Sequence, residues 1–549
     1  VVQFPWRFLS VQALFAAAAT AALIPRPSSL AGRLLATLIA ATLAAAVMLP
    51  LHPDRLPVTS ADVTAERLQL YELFTENIGT TIRYEWLPRT ASPRPFVGEA
   101  LIEPGAPPRA IPVDGARLEA TLLERRPTRQ RWQVSGAGGQ VAFPLLYWPG
   151  WEAMVDGEPV SAGPLEGSGY LALQVPPGEH TVTLRLGRTP LRAAAELLSL
   201  AALVALMATA LQGRLARRGV GLAALLIFAL GLGAANVQEQ AANLTMDFEE
   251  LPYLHASPAG LTFEGGARLR QVQLSATALR PGDTLTVTLD WAERGSAEAV
   301  TARLVSPAAV RHDVLPLAEA SCDLRLAPCD VLQLPLPPDI SRGLYLVELD
   351  LRGAAGALHA LTSTGRTRGT LYLEPLRVAE GPPAEASVLA AFGAEIRLHS
   401  ARIEPAGPDR LAVTLAWSAV RPIAANYGIS LRLVDAEGQT RRAFDSQPGY
   451  GFLPTSLWRP GELVTDRYLL SLPGDLPPGP YRLTVILYRF PALGPIGQAQ
   501  VGDFTLPLTA PFLAERPPRV YALPPLEHPL GVRFGGQIEL AGYELTQDE

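Results

Sequence analysis

The sequence predicts a mixed membrane protein: four transmembrane α-helices carrying antiparallel, immunoglobulin-like β-sandwich domains on the outer side of the membrane. Three observations predict it. Of the 549 residues, 48% are hydrophobic and 18% are charged, which is too apolar for an ordinary soluble chain and too polar for a pure helical membrane bundle. Four apolar runs come in two close pairs. The long stretches outside them hold most of the 52 Pro and 47 Gly, as turn-dense β domains require. By length alone the chain suggests about three to five domains. It begins at Val1 without a basic n-region and cleavage site, and so reads as the C-terminal part of a longer protein.

The apolar runs are 8–25, 34–51, 191–211 and 219–236. Each is close to the ~20 residues that cross ~30 Å of hydrocarbon. Arg26 and Arg33 sit between the first two, and Arg214, Arg217 and Arg218 between the second two. Short arginine-bearing loops stay in the cytoplasm, so 52–190 and 237–549 are expected outside. The alternative is that the runs are helical hairpins buried in a soluble core. Glu196 lies near the outer end of the third run, where its side chain can snorkel.

After the second run, 52–93 holds an amphipathic segment, Asp62 to Asn77, with Val63, Leu70, Leu73 and Phe74 at helical spacing, then a membrane-proximal linker. From 94 to 188 short strands are broken by Pro and Gly. Trp151-Glu-Ala-Met-Val155 runs into Asp156-Gly157, a hairpin turn, and the segment reads as a small sandwich. A linker, 238–259, follows the fourth run. Residues 260–375 and 385–510 read as two copies of one module. Strands ending in Trp291 and Trp417 correspond, as do Phe263-Glu-Gly-Gly-Ala-Arg-Leu and Phe392-Gly-Ala-Glu-Ile-Arg-Leu, and the late hairpins ending at Tyr345 and Tyr481. Phe534-Gly-Gly-Gln-Ile-Glu-Leu, within 530–549, opens a third copy. Trp151, Trp291, Trp417 and Trp458 are expected to be structural, with Trp291 and Trp417 plugging a core between sheets; carbohydrate stacking is the other use of such a Trp. Asp156 and Gly157 are expected as turn formers.

Cys322 and Cys329 are the only cysteines. In a segment placed outside the cytoplasm they are expected to form a local disulfide, the alternative being two free thiols. The formal charge of −6 gives no basic stripe for a phosphate backbone, so nucleic acid is excluded as a partner. The seven His are scattered and make no ligand pair, so no metal is expected. No nucleophile elbow, P-loop or dinucleotide fingerprint occurs, and no cofactor or catalytic residue is assigned. The best site candidates are Glu76, Arg83 and Glu85, in a motif-like stretch between a helix and a sandwich. A membrane-proximal Arg can hold a lipid phosphate by paired hydrogen bonds; the bland alternative is a loop salt-bridge cluster.

Tyr147-Trp-Pro-Gly-Trp-Glu-Ala-Met-Val-Asp-Gly157 and Pro177-Gly-Glu-His-Thr-Val182, followed by an apolar run, resemble the YfhO-like membrane proteins and the related "6-pyruvoyl-tetrahydropterin synthase-related" membrane proteins. Phe4-Pro-Trp-Arg7 and Ile78-Gly-Thr-Thr…Glu85-Trp-Leu-Pro88 are similar to further motifs of that group, with Trp86 where a Tyr is usual. The resemblance covers about residues 1–240. The repeated module, with Asp445-Ser446, Pro454-Thr-Ser-Leu-Trp-Arg-Pro-Gly461 and Pro478-Gly-Pro-Tyr481, resembles β-sandwich domains appended to such proteins in Chloroflexi-like bacteria. The first resemblance implies a polytopic glycosyltransferase of the GT-C type, using a polyprenyl-phosphate-linked sugar at the outer face, its catalytic loop lying upstream of this sequence. Two functions therefore compete. One is the C-terminal portion of such an enzyme, acting on envelope glycans or lipid-linked sugars. The other is a non-catalytic, membrane-anchored protein that binds or braces the cell envelope. In both the lipid bilayer is a partner.

Overall fold

The computed structural model describes residues 29, 70, 72–74, 87–94, 96–113, 115–211, 260–326, 328–362, 365–367, 369–490, 492–508, 528–534 and 538–543. Over these residues the protein is a series of antiparallel β-sandwiches of immunoglobulin-like character. Alternation makes the strands. In Thr284–Glu293, Leu285, Val287 and Leu289 turn inward and are buried, while Thr284, Thr288 and Asp290 face solvent, the period of two that a half-buried strand requires.

The first sandwich sets the four-stranded sheet Ile111–Pro112, Gly139–Leu146, Tyr170–Val175, Ala162–Pro164 against the five-stranded sheet Leu118–Arg126, Arg129–Gly136, Gly178–Leu186, Trp151–Val155, Glu158–Val160. Trp132 and Phe143, both fully buried, meet edge-on with ring centroids 5.3 Å apart at its centre. The second sandwich spans Leu261–Phe263 to Leu376–Val378, with sheets of five and seven strands. The third spans Ala390–Phe392 to Gly494–Leu506, with two sheets of four. Beyond it, His528–Phe534 and Ile538–Tyr543 form a further hairpin.

The second and third sandwiches share a feature of register. Leu269 pairs with Trp291, and Leu398 pairs with Trp417; in both sheets the ladder slips immediately after that pair. The buried hydroxyls of Tyr345 and Tyr481 each donate to the carbonyl four residues upstream, Ser341 at 2.8 Å and Pro477 at 2.9 Å. This is the tyrosine corner of immunoglobulin-like sandwiches, and it accounts for the Gly-x-Tyr that both copies share. The two Trp differ, however. Trp417 is fully buried, edge-on to Phe392 at 5.1 Å. Trp291 is only partly buried, and its indole N–H reaches Cys329 O at 3.4 Å beside the Cys322–Cys329 disulfide. That disulfide ties the end of Ala318–Asp323, in one sheet, to the approach of Val331–Pro335, in the other.

The expectation of four transmembrane helices is corrected by the structure. Among the described residues, no helix is long and apolar enough to cross a membrane. The runs 8–25, 34–51 and 219–236 lie outside the described residues. The run 191–211 falls on the helix Pro190–Leu211, whose first two turns carry Arg192 and Glu196 as an exposed ion pair, with Arg188 also on Glu196. Within the sandwiches, apolar residues fill three cores. The arginine-based orientation argument therefore has no described span to act on.

Between the sandwiches the chain is packed. Leu70, Leu73 and Phe74, on a helical segment, bury against Val305, Leu344, Leu346 and Tyr372 of the second sandwich. The short helix α1, Glu99–Ile102, places Leu101 and Ile102 in the same cluster, beside Phe452 of the third. The first and third sandwiches meet through Val113, Ala142, Ala172 and Ala424, where Asn426 N donates to Gly167 O at 2.9 Å.

Candidate functional site

The most densely organised polar centre joins elements far apart in sequence. Helix α1 brings Glu99 and Glu103 to the seam between the second and third sandwiches. Arg342, on the turn before the strand Gly343–Gly353, donates to Glu99 Oε1 at 2.5 Å, to Glu103 Oε2 at 3.0 Å and through Nε to Ala379 O at 2.9 Å. Arg459, from the third sandwich, donates to the same Glu103 oxygen at 2.6 Å and lies 3.5 Å from Glu99. Arg342 is only 4% exposed at its side chain. Burial pushes the Glu103 carboxyl up, but its contact with Glu99 and the charges of Arg342 and Arg459 outweigh that and hold it below the usual value. Glu462, half-buried beside the pair, is raised by burial, against the Gly381 N–H and the two arginines.

The seam continues on both sides. Thr465 N donates to Ser341 Oγ at 2.6 Å, Thr465 Oγ1 donates to Asp339 O at 2.8 Å, and Arg467 reaches Asp339 Oδ2 at 3.1 Å. These bonds lace the turn before Tyr345 to the strand Leu463–Ser471. On that strand Asp466 is wholly buried. It accepts from Gly449 N at 2.8 Å and shares a 2.6 Å hydrogen bond with the Tyr468 hydroxyl. Desolvation pushes its carboxyl up to about 7, against those hydrogen bonds. Tyr450, at φ 57°, closes the pocket and stacks on His312 of the second sandwich at 4.5 Å. Burial, then the Arg311 charge, lowers the His312 imidazole.

Of the candidates named from sequence, Glu76, Arg83 and Glu85 lie outside the described residues. Trp151 is buried at the start of its strand. Asp156 (φ 52°) and Gly157 (φ 91°) are the two central residues of a hairpin turn between Val155 and Glu158, a backbone that Asp-Gly suits. The Asp156 carboxylate does more than turn the chain. Its Oδ1 accepts from Thr181 N at 2.8 Å and its Oδ2 meets His180 Nδ1 at 2.6 Å. His180 Nε2 faces Pro177 O at 3.2 Å. With an acceptor against each ring nitrogen, the doubly protonated imidazolium is favoured. The hydrogen bonds with Asp156 and Pro177 raise the His180 pKa, and the bond with His180 lowers that of Asp156. The Val-Asp-Gly and Gly-x-His-x-Val motifs are thus two halves of one hairpin lock. Trp458 is buried against Trp417 at 6.4 Å, its indole N–H donating to Leu453 O at 2.9 Å. Trp417 Nε1 finds no acceptor among the described residues, as suits a packing plug.

The ion cluster escapes sequence reasoning because its carboxylates and arginines are 239 to 356 positions apart. The only signal was that Trp458-Arg459-Pro-Gly461 stood out as a conspicuous run. Chemically the cluster is a joint: two arginines held by carboxylates and a carbonyl, with Arg459 Nε finding no acceptor among the described residues, beside a void of about 10 Å³, too small for a ligand. Among the described residues no group of His, Cys, Asp and Glu could hold a metal.

No known family model matches the chain, and no curated protein matches it. Among solved structures it is similar to the chicken interferon gamma receptor alpha chain, at 9% identity and a TM-score of 0.14, over 46% of this chain and all of that one. It is also similar to a cytokine receptor complex, at 14% identity and a TM-score of 0.12, over 44% of this chain and 98% of the other. At such scores neither likeness carries an argument about what this chain does.

Proposed function

We propose that this chain is a non-catalytic positioning body of the cell envelope, a set of β-sandwiches joined rigidly so that surfaces on different sandwiches are held at fixed separation. The observation that carries the reading is the joint of Glu99, Glu103, Arg342 and Arg459, with Arg342 buried and the other three partly buried, contributed by helix α1 and two sandwiches. Loosely tethered domains share small, polar, wet interfaces; here the seam holds an ion cluster around a buried arginine, flanked by a continuous apolar cluster. The Cys322–Cys329 disulfide supports an oxidising location outside the cytoplasm.

The competing reading, part of a GT-C type glycosyltransferase, rests on the resemblance of the Pro-Gly-Trp…Val-Asp-Gly motif, whose residues here turn and lock a hairpin. The two readings separate in one experiment. The purified chain is incubated with isolated envelope polysaccharide and, separately, with polyprenyl-phosphate-linked sugars plus acceptor. A positioning body co-sediments with the polymer and does not retain the lipid-linked sugar. Because the catalytic loop that the enzyme reading requires lies upstream of this sequence, that reading is scored by binding: retention of the lipid-linked sugar without binding to the polymer would overturn the proposal in its favour.

A further inference from the structure

The first sandwich ends in the helix α2, Pro190–Leu211, capped by Thr189, whose hydroxyl accepts from Arg192 N at 3.2 Å. The side chains of Leu191, Leu197, Leu198 and Leu200 are 82%, 67%, 73% and 57% exposed, so nothing among the described residues covers these four leucines. Its residues are not distributed at random. At 100° per residue, those four leucines, with Ala193, Ala194 and Ala201, fall within one half of the circumference. Arg192, Glu196 and Ser199 fall within the other. Over these first three turns, 191–201, an apolar half and a charged half describe a segment that lies along an interface.

The charged half faces an open cleft of about 630 Å³ at the root of the helix, lined by Thr128, Glu152, Arg185, Arg188, Arg192 and Glu196. Glu196 is shared between Arg188 at 3.0 Å and Arg192 at 3.4 Å. Arg185 is exposed at the end of the strand Gly178–Leu186 and makes no ion pair among the described residues. The cleft therefore carries one positive charge in excess, in guanidinium groups whose fork matches phosphate oxygens. It lies at the level where the apolar half of α2 begins.

We propose that the cleft of Arg185, Arg188 and Arg192, with the leucine face of α2, binds an anionic lipid surface: the arginines take phosphate head groups and the leucines enter the boundary beneath them. Charge complementarity selects this occupant. A second copy of the chain would bring the same excess positive charge against itself, whereas an anionic bilayer offers phosphate and hydrocarbon in the order the helix presents arginine and leucine. The inference goes beyond polymer binding and stands whether or not that reading holds, because it concerns a different surface.

The test is co-sedimentation of the full chain with phosphatidylcholine vesicles, with and without phosphatidylglycerol, at low and high salt. Binding to the anionic vesicles is expected, weakened by salt. Arg185→Gln and Arg188→Gln are expected to weaken it about fivefold each, the equivalent of ~1 kcal/mol per arginine at a membrane surface. Leu197→Ser with Leu200→Ser should weaken binding to the same vesicles without removing its salt dependence. A charge-matched control, Arg268→Gln with Arg402→Gln, alters exposed arginines of the second and third sandwiches and should bind as the parent does. Circular dichroism checks that each variant is folded. Equal affinity for neutral and anionic vesicles, no vesicle binding at all, or losses as large in the control as in the cleft variants would each overturn the proposal. Added inorganic phosphate at millimolar concentration should compete weakly; complete displacement by it would show a free-phosphate site and overturn the lipid assignment.

Discussion

Asp466 makes the stability of the third sandwich depend on pH in an unusual direction. The carboxyl is fully buried, and its folded pKa is about 7 against an ordinary 3.8. The carboxyl is therefore protonated below neutral pH, and the geometry has room for that proton. The Tyr468 oxygen lies 2.6 Å from Asp466 Oδ2 and 3.2 Å from Gln447 O, yet a phenol has one proton. If Tyr468 donates to Gln447, the proton between Tyr468 and Asp466 must come from the carboxyl. The unfolded chain releases that proton near pH 4 and the folded chain near pH 7. Stability is therefore greatest below the lower value, falls as pH rises between the two, and levels off above the upper one. Three units at 1.36 kcal/mol each give ~4 kcal/mol lost across that window. Asp466→Asn removes the titration and keeps the shape, with an amide N–H to offer Tyr468 and a carbonyl to accept from Gly449. Urea denaturation of both proteins between pH 4 and 8, followed by tryptophan fluorescence, measures the difference, because Trp417 and Trp458 lie in that core. The Asn variant should gain on the parent as pH rises, by ~4 kcal/mol at pH 8. Parallel profiles, or a parent that gains on the variant toward neutral pH, would refute the reasoning.

Three further outcomes follow from the same structure. Arg342→Met should cost about 3 kcal/mol by leaving the Glu99 and Glu103 carboxylates only partly compensated, while adding Glu99→Gln and Glu103→Gln should restore much of it; thermal unfolding of the two variants tests this, and a triple variant weaker than the single would contradict it. Tyr345→Phe and Tyr481→Phe each delete one corner hydrogen bond and should each cost ~1 kcal/mol, additively, since they lie in different sandwiches; chemical denaturation of the single and double variants checks both points. The His180 imidazole should titrate above its usual value of 6.5 and fall back toward it in Asp156→Asn; because its folded pKa is raised, the hairpin lock is complete below that usual value and is lost as pH rises through the folded one, which proton NMR and proteolysis of the hairpin both read.

What the sequence disclosed and what it hid follow from the range of the forces involved. Strand alternation, the Asp156-Gly157 turn and the two-copy pattern around Trp291 and Trp417 are local or periodic, and a single chain displays them. The shared Gly-x-Tyr was visible as a pattern, but its meaning needed Tyr345 and Tyr481 to be seen reaching back four residues. Trp291 and Trp417 correspond by register and still differ in burial, because the first packs beside the Cys322–Cys329 link and the second between Phe392 and Trp458. The run 191–211 looked like a span because of its mean apolarity, which does not show that its first three turns set Arg192 and Glu196 on one half and four exposed leucines on the other. Glu76, Arg83 and Glu85 drew notice through motif and charge, as did the run holding Arg459, whereas Arg342, which organises the seam with it, stands in an unremarkable turn.

The seam shows why an ion cluster sits where apolar residues would pack as well. Leu101, Ile102, Leu344, Leu346 and Phe452 already hold α1 against the two sandwiches, and such contact is non-directional: it tolerates sliding and rotation at little cost. Replacing a buried ion pair with apolar groups is often neutral or stabilising, so stability alone does not explain Arg342. Direction does. Its guanidinium is planar, and its bonds to Glu99, Glu103 and Ala379 O constrain the angle between three pieces of chain in a way dispersion forces cannot. Arg459, approaching the same Glu103 oxygen from the third sandwich, extends the constraint across the seam. A rotation of either sandwich would strand a desolvated charge, a penalty of several kcal/mol. The cluster thus sets orientation over an apolar contact that supplies adhesion, and a protein built this way transmits the position of one sandwich to the next.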